Sequence, residues 1–415
     1  MIKNTIADLA VFGGAPTFDD KLHVGRPNIG DRQKLAMRID DILDRRWLTN
    51  AGSNVAEFER RVADIAGVKH CVAMCNATIG LEIVIRALGL TGEVIIPSFT
   101  FIATAHALQW QGITPVFCDI DWHTYNLDPS LVEQLITPRT TAIIPVHVFG
   151  RPCDISALQE IATRRNLKLI FDSAHAFGCS YQDRMIGGFG DAEVFSFHAT
   201  KFINTMEGGA VVTNNAQLAD KMRLMKNFGF ADYDRTEYIG TNGKMNEVSA
   251  AMGLTNLESI QDFIDVNYRN YLRYAQELGN TEGLTMIRYD DDQKCNFQYL
   301  VLEIDEDKTQ ISRDRLIEIL HAENVLARRY FYPGCHRMEP YRSYYPHAGL
   351  MLPVTEQLAG RVMALPTGTA VGANEISAIC EIIKFVISNG PEVDQRLRRR
   401  SEADEEYIIG VADRG

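Results

Sequence analysis

FSFHATKFINTMEGGA, residues 195–210, sets a lone lysine, Lys201, between two strand-like runs. The first passes through Val194, Phe195 and Phe197, and the second, at 210–213, follows a glycine pair, Gly208 and Gly209. A lysine held in a packed pocket loses solvation, its pKa falls, and the free amine can condense with an aldehyde as a Schiff base. The competing reading is a surface lysine that snorkels between strands with its ammonium in water. Only the surrounding chain separates the two.

Upstream, short apolar runs at 70–75, 93–97, 114–118, 141–148 and 168–171 alternate with helix-length or loop segments, among them helices expected at 78–88, 102–110 and 155–165. Buried parallel strands with crossover helices are the structure this pattern predicts, an α/β sheet covered on both faces whose ligands gather at the strand C-terminal ends. Helices are expected ahead of it at 31–46 and 53–66, with a Trp-Leu-Thr-Asn turn at 47–50. After AVVTN come a helix at 216–227 and a long helical tract at 246–278, interrupted near 264–267. The remainder mixes strand candidates at 285–288, 298–304 and 325–331 with helices at 312–323 and 375–388. The domain division expected is an N-terminal segment, 1–50, whose helix packs with the small domain; a large domain, 51–265; a smaller α+β C-terminal domain, 266–390; and a charged tail, 391–415, read as a frayed end.

Of the 415 residues, 42 are basic and 54 acidic, a net charge of −12, so no broad cationic face for nucleic acid is expected and a phosphate-bearing ligand must be held by local devices. The eight cysteines are scattered, with one close pair in HCVAMC, and read as buried free thiols in a reducing compartment rather than disulfides or a metal site. The apolar patch of MIKNTIADLAVFGGAP is short and carries Asp8, and no later run reaches the roughly 18 apolar residues of a membrane span. A cytoplasmic protein with no membrane partner is expected.

Further places carry chemistry. Asn76, Ala77 and Thr78 join a strand to a helix, where backbone N–H groups and a hydroxyl make either an ordinary N-cap or an anion site without a cationic side chain. In FDSAHAFG, Asp172 ends a buried strand, either as half of a structural ion pair or as the partner of a protonated ring nitrogen, with His175 close enough to share the pocket. Ser196 precedes Lys201, and the loop GTNGKMNE presents Asn242 before a helix, a turn and cap by itself. Together, anion site, strand-end carboxylate, lysine and histidine are the parts of a pyridoxal phosphate enzyme, and the order phosphate loop, aspartate, lysine is that of fold-type I. Gly208 and Gly209 would then let backbone pass close to the cofactor.

FSFHATKFINTMEGGAVVT, FDSAHAFG, CNATIGLE, EVIIPSFTFIATAHAL, PVFCDID and GTNGKMNEVSAAMGL, in that family's order over about 9–387, resemble the sugar aminotransferases of the DegT/StrS type. The resemblance implies an aspartate aminotransferase-like fold with a mostly parallel seven-stranded sheet. It implies that Lys201 is the Schiff-base lysine and proton shuttle, that Asp172 pairs with the pyridine nitrogen, and that His175 reaches the ring hydroxyl. Phe101 would stack on the ring, while Ala77, Thr78 and Ser196 would hold the phosphate, with Asn242 of a neighbouring subunit completing it in a homodimer. Arg328, Arg26 and Thr49 would lie near a nucleotide-sugar. The implied reaction moves an amino group from L-glutamate to the sugar.

VGRPNIGD, RWLTNAG, HATK and RRYFYPGCHRMEPYR further resemble the branch that aminates C4 of dTDP-4-keto-6-deoxyglucose. The nearest alternative is amination at C3 of a 3-keto sugar, since HATKF and GTNGKM occur on that branch also. Relatives that dehydrate at C3 carry histidine in place of the lysine, and Lys201 argues against that chemistry. A rival of another class is a non-catalytic sensor of pyridoxal phosphate or a nucleotide, against which stands the complete set Lys201, Asp172 and Thr78.

Overall fold

The structure, a computed structural model, describes residues 3–412. Strands β1 (His70–Met74), β2 (Glu93–Pro97), β3 (Thr114–Cys118), β4 (Thr140–Ile143), β5 (Lys168–Asp172), β6 (Ala192–Ser196) and β7 (Gly209–Thr213) form one sheet in the order β1-β7-β6-β5-β4-β2-β3. Every pairing from β3 through β6 is parallel, and β7 runs antiparallel to both β6 and β1. The exception has a simple cause. No helix forms between β6 and β7, so the chain reverses instead of crossing over, and that reversal carries Lys201 out beyond the end of β6.

Successive residues of these strands feed separate cores on the two faces of the sheet. Phe171, Phe195 and Val212 pack on one face with Phe58, and Ile170, Val194 and Val211 pack on the other with Val84 and Leu108. Burial on both faces explains why the strands read as near-continuous apolar runs. The helices that matter for the site are α1 (Arg32–Arg45), α2 (Ser53–Ala66), α3 (Ala77–Ala87), α4 (Ile102–Gln109), α5 (Glu247–Leu257) and α6 (Ile260–Leu278).

The long helical tract breaks at Glu258–Ser259, not near 264–267. Asn267, inside the expected break, and Asn270, one turn on, are both buried and bonded: Asn267 donates to the Asn296 carbonyl at 2.9 Å and Asn270 to the Gly368 carbonyl at 3.1 Å. Tertiary hydrogen bonds override their weak helix propensity.

A second sheet, antiparallel, joins β8 (Leu284–Met286), β9 (Leu300–Ile304) and β10 (Val362–Leu365), packed by α7 (Arg313–Ala322), α8 (Pro353–Arg361) and α9 (Ala373–Ser388). The strand expected at 325–331 shrinks to Val325–Leu326, paired with Leu22–His23, and Val362–Leu365 takes the third place in the sheet. Four apolar residues directly after a helix gave no alternation to read.

Ile6, Leu9, Val11 and Leu22 belong to the core of this second unit, and Lys3 makes a buried ion pair with Glu323 at 2.9 Å. Helix α1, expected on the same unit, lies instead on α5, with Arg38 donating to Thr255 at 2.8 Å and Lys34 pairing with Glu258 at 3.0 Å. Its one buried residue is Ile42, so polar contacts set its place. The tail also differs from the frayed end expected: Gly390–Ala412 is helical, and Val393 and Leu397 are buried in the second core. Residues 413–415 of that tail, like Met1 and Ile2 of the N-terminal stretch, lie outside the described residues. All eight cysteines are free, and among the described residues no helix is long and apolar enough to cross a membrane.

Because Leu397 is 1% exposed, Leu397→Ala is expected to destabilise the protein by about 2–4 kcal/mol and lower its thermal midpoint, whereas a frayed tail would leave the midpoint unchanged.

Candidate active site

Asp172 ends β5, Lys201 lies in the reversal after β6, and α3 starts where β1 ends, so the sheet topology delivers all of them to one edge. Between that edge and the second unit opens a cleft of about 480 Å³. Ala77, Thr78, Phe101, Asp172, His175, Ser196, Lys201 and Arg328, all singled out in the sequence, line it.

Lys201 Nζ donates to Tyr299 Oη at 3.2 Å. Burial pushes its pKa down to about 8, against an upward pull from the Asp172 charge. Desolvation therefore wins over the ion-pair attraction, which leaves roughly a tenth of the amine neutral and nucleophilic at pH 7, where an ordinary lysine leaves almost none. Burial likewise raises the Asp172 carboxyl pKa, while bonds from Thr104 Oγ1 (2.8 Å) and the Ala174 N–H (3.2 Å), and then the Lys201 charge, pull it back down.

His175 is buried, and its Nδ1 accepts from the Phe149 N–H at 3.2 Å. Desolvation holds its pKa well below the usual histidine range, with the Lys201 charge acting in the same sense. The ring is thus a neutral imidazole whose Nε2–H is the free donor. It lies nearly parallel to Phe331, centroids 5.8 Å apart at 10°.

At the start of α3, Asn76 Oδ1 caps the helix by accepting from the Ile79 N–H at 2.8 Å. The Ala77 and Thr78 amides fall in the first turn, outside the helical ladder, with the Thr78 and Ser196 hydroxyls close by in the same cleft. Gly209 makes this possible: a Cβ there would come within 2.5 Å of the Ala77 nitrogen. Gly208 is equally constrained, since an added Cβ would come within 2.0 Å of the Thr205 hydroxyl.

Asn242, Arg26 and Thr49 do not line the cleft. Asn242 is exposed on a loop bridged to Asn227, Thr49 is exposed in the turn after α1, and Arg26 is exposed next to Gly25, which abuts Thr200. His198, with no part assigned from the sequence, bonds Thr200 Oγ1 at 2.9 Å and faces Glu207 at 3.4 Å on the cleft rim.

Sequence reasoning missed Tyr299 and Thr104, the direct partners of Lys201 and Asp172. Each sits within an apolar run and reads as core, and only its polar tip hinted otherwise. Also missed was a chain of hydrogen bonds across the two units: Ser98 Oγ to His336 Nδ1 at 2.6 Å, and His336 Nε2 to Glu356 at 2.5 Å. Ser98 is fully buried, so the arrangement is no nucleophilic triad. It stitches the 334–337 turn to the end of β2, next to Phe101, and so holds the Arg328–Phe331 wall against the sheet edge.

A desolvated lysine amine, a buried carboxylate and an anion-ready helix start at one sheet edge define the class: α/β enzymes that carry pyridoxal phosphate. The donor set fits that cofactor, with an amine for its aldehyde, a carboxylate for its ring nitrogen and unladdered amides for its phosphate. Residues 30–384 match the DegT/DnrJ/EryC1/StrS aminotransferase family, and the chain belongs to that family. The dTDP-4-amino-4,6-dideoxy-D-glucose transaminase of Shigella dysenteriae is 37% identical over 374 residues, 90% of this chain and 99% of that protein. GDP-perosamine synthase of Caulobacter vibrioides is 37% identical over 306 residues, 72% of this chain and 82% of that protein. The crystal structure of DesI in the presence of its TDP-sugar product superposes with a TM-score of 0.92 at 51% identity, covering 95% of this chain and all of that one.

Between pH 8 and 10.5 the unfolded chain keeps the Lys201 proton that the folded chain has lost, so wild-type stability rises through that window and the cost of burying the ammonium is fully present below it. Lys201→Met is therefore expected to stabilise the cofactor-free protein at pH 7, by on the order of 1–2 kcal/mol, with the gain shrinking to nothing as pH climbs from 8 to 10.5. Thermal midpoints of the two proteins at several pH values check this; a difference constant across the window contradicts it.

Proposed function

We propose that the protein transfers an amino group from L-glutamate to C4 of dTDP-4-keto-6-deoxyglucose. The observation that carries the chemistry is the desolvated Lys201 amine, lining one cleft with the buried Asp172 carboxylate. The substrate rests on likeness: the Shigella relative is named for a 4-amino-4,6-dideoxyglucose, and the DesI structure was determined with a TDP-sugar. The similarity to a GDP-perosamine synthase is the reason to test the nucleotide as well as the sugar.

Bound pyridoxal phosphate would supply the electron sink that lets a carbon next to nitrogen lose its proton. The protein's residues do the rest. Asp172 keeps the ring nitrogen protonated, held in orientation by Thr104 and the Ala174 N–H. His175, fixed as the Nε2–H tautomer by the Phe149 N–H, donates to the ring hydroxyl. Phe101 covers a ring face, and Ala77, Thr78 and Ser196 hold the phosphate. Lys201, once its amine is free, takes the proton from glutamate's α-carbon in the first half and delivers a proton to C4 of the sugar in the second, its Nζ steered by Tyr299 Oη. Arg328 lines the cleft where it can meet the nucleotide-sugar's diphosphate. Asn242, away from its own cleft, reaches the phosphate of a second copy, which makes the working unit a homodimer with shared sites. Eight cysteines without a disulfide support a cytoplasmic location.

The test is to incubate the holoenzyme with glutamate and either dTDP-4-keto-6-deoxyglucose or its 3-keto isomer, and to follow the sugar by NMR. Amination at C4 of the first is expected; amination of the 3-keto sugar alone overturns the reading in favour of C3. Lys201→Ala is expected to lower kcat by at least about 10³-fold and to abolish the visible band of the lysine-bound cofactor. Turnover of neither sugar, with the band intact, would leave a sensor as the surviving account.

A further inference from the structure

A second cleft, of about 340 Å³, is lined by Arg151, Arg288 and Lys294, with Tyr181, Tyr289 and Asp290. It backs onto the first. Gly150 forms part of its wall, and a Cβ there would meet the His175 carbonyl oxygen at 2.9 Å. The Tyr289 hydroxyl donates to the Tyr299 carbonyl at 2.7 Å, with the Phe149 carbonyl also within reach at 3.1 Å, both residues being ring neighbours of His175.

The three cations are unusual in a chain of net charge −12. Among the described residues, many other arginines and lysines pair with carboxylates, as Arg60 does with Glu57 and Arg164 with Glu133. Arg151 Nη1 donates only to the carbonyls of His123 (2.9 Å) and Thr124 (3.4 Å), and Arg288 and Lys294 have no side-chain hydrogen bond or ion pair among the described residues. The lining carboxylate, Asp290, turns Oδ1 to the Asp292 N–H at 3.0 Å, within its own turn, where Asp291 and Asp292 are exposed. Arg151 is half-buried, its desolvation offset in part by the His123 and Thr124 carbonyls and the charge of Asp121, while Arg288 and Lys294 are exposed, so an anion in the cleft would meet two unengaged cations beside a partly engaged third.

We propose that this cleft binds a phosphoryl group, offered as inorganic phosphate or as the diphosphate of a nucleotide. Three cations around one cleft suit a multiply charged oxyanion better than a single carboxylate, and two planar guanidinium forks match tetrahedral oxygens. Tyr181 and Tyr289 line it without adding charge. The site is separate from the phosphate-holding start of α3, which belongs to the first cleft.

The holoenzyme is the right protein for the test, because bound cofactor already fills the first cleft's anion site. Orthophosphate and dTDP are titrated separately by calorimetry, at constant ionic strength, into wild type and R288Q/K294Q. Arg151 is left in place because it also holds backbone carbonyls. Free phosphate as ligand predicts that orthophosphate affinity drops by about 10-fold or more in the double variant, with R288K staying within about 3-fold of wild type. A nucleotide as ligand predicts that dTDP falls from two sites per chain to one, an arm that rests on the proposed nucleotide-sugar reading of the first cleft; the orthophosphate arm stands without it. An unaltered holoenzyme absorption band verifies that the variant keeps its fold. If the double variant binds both anions as wild type does, the proposal fails.

Discussion

Everything in this molecule converges on one ammonium kept short of water. Lys201 sits in a reversal with no helix of its own, walled by Tyr299 and facing Asp172, and the desolvation it suffers outweighs the carboxylate's attraction. Had the carboxylate won, the pair would be a structural ion pair and the amine inert. Burial of Asp172 is what the doubly covered sheet provides, and the antiparallel entry of β7 is what puts the lysine loop and the start of α3 side by side.

The architecture was legible because its signals are of the strong kind. Apolar runs buried on both faces, punctuated by helices, specify a parallel sheet, and the ends of Ser53–Ala66 and Ile155–Arg165 could be read to the residue from capping and periodicity. What could not be read depends on partners distant in sequence. The break expected at 264–267 does not form, because Asn267 and then Asn270 are held in the helix by bonds to Asn296 and Gly368. Val362–Leu365 is a strand because β9 waits for it, and Leu397 is core because the second unit has a groove for it.

The site divides the same way. Lys201, Asp172, His175 and Thr78 stand in ordered motifs whose chemistry is local enough to recognise. Their supports are not: Thr104 is a threonine in an apolar helix and Tyr299 a tyrosine just ahead of an apolar strand, and each becomes functional only when the fold brings it to a carboxylate or an amine. The Ser98–His336–Glu356 chain likewise exists only across two units, and it sets the distance between the sheet edge with Phe101 and the Arg328–Phe331 wall.

The central claim is that desolvation, moderated by Asp172, sets the Lys201 amine's acidity. It is tested most directly by NMR titration of the Lys201 side-chain nitrogen in cofactor-free wild type and in Asp172→Asn. The account predicts titration near pH 8 in wild type and at lower pH in the variant, since the carboxylate's upward pull is gone. A lysine that titrates near 10.5 in both proteins would contradict it.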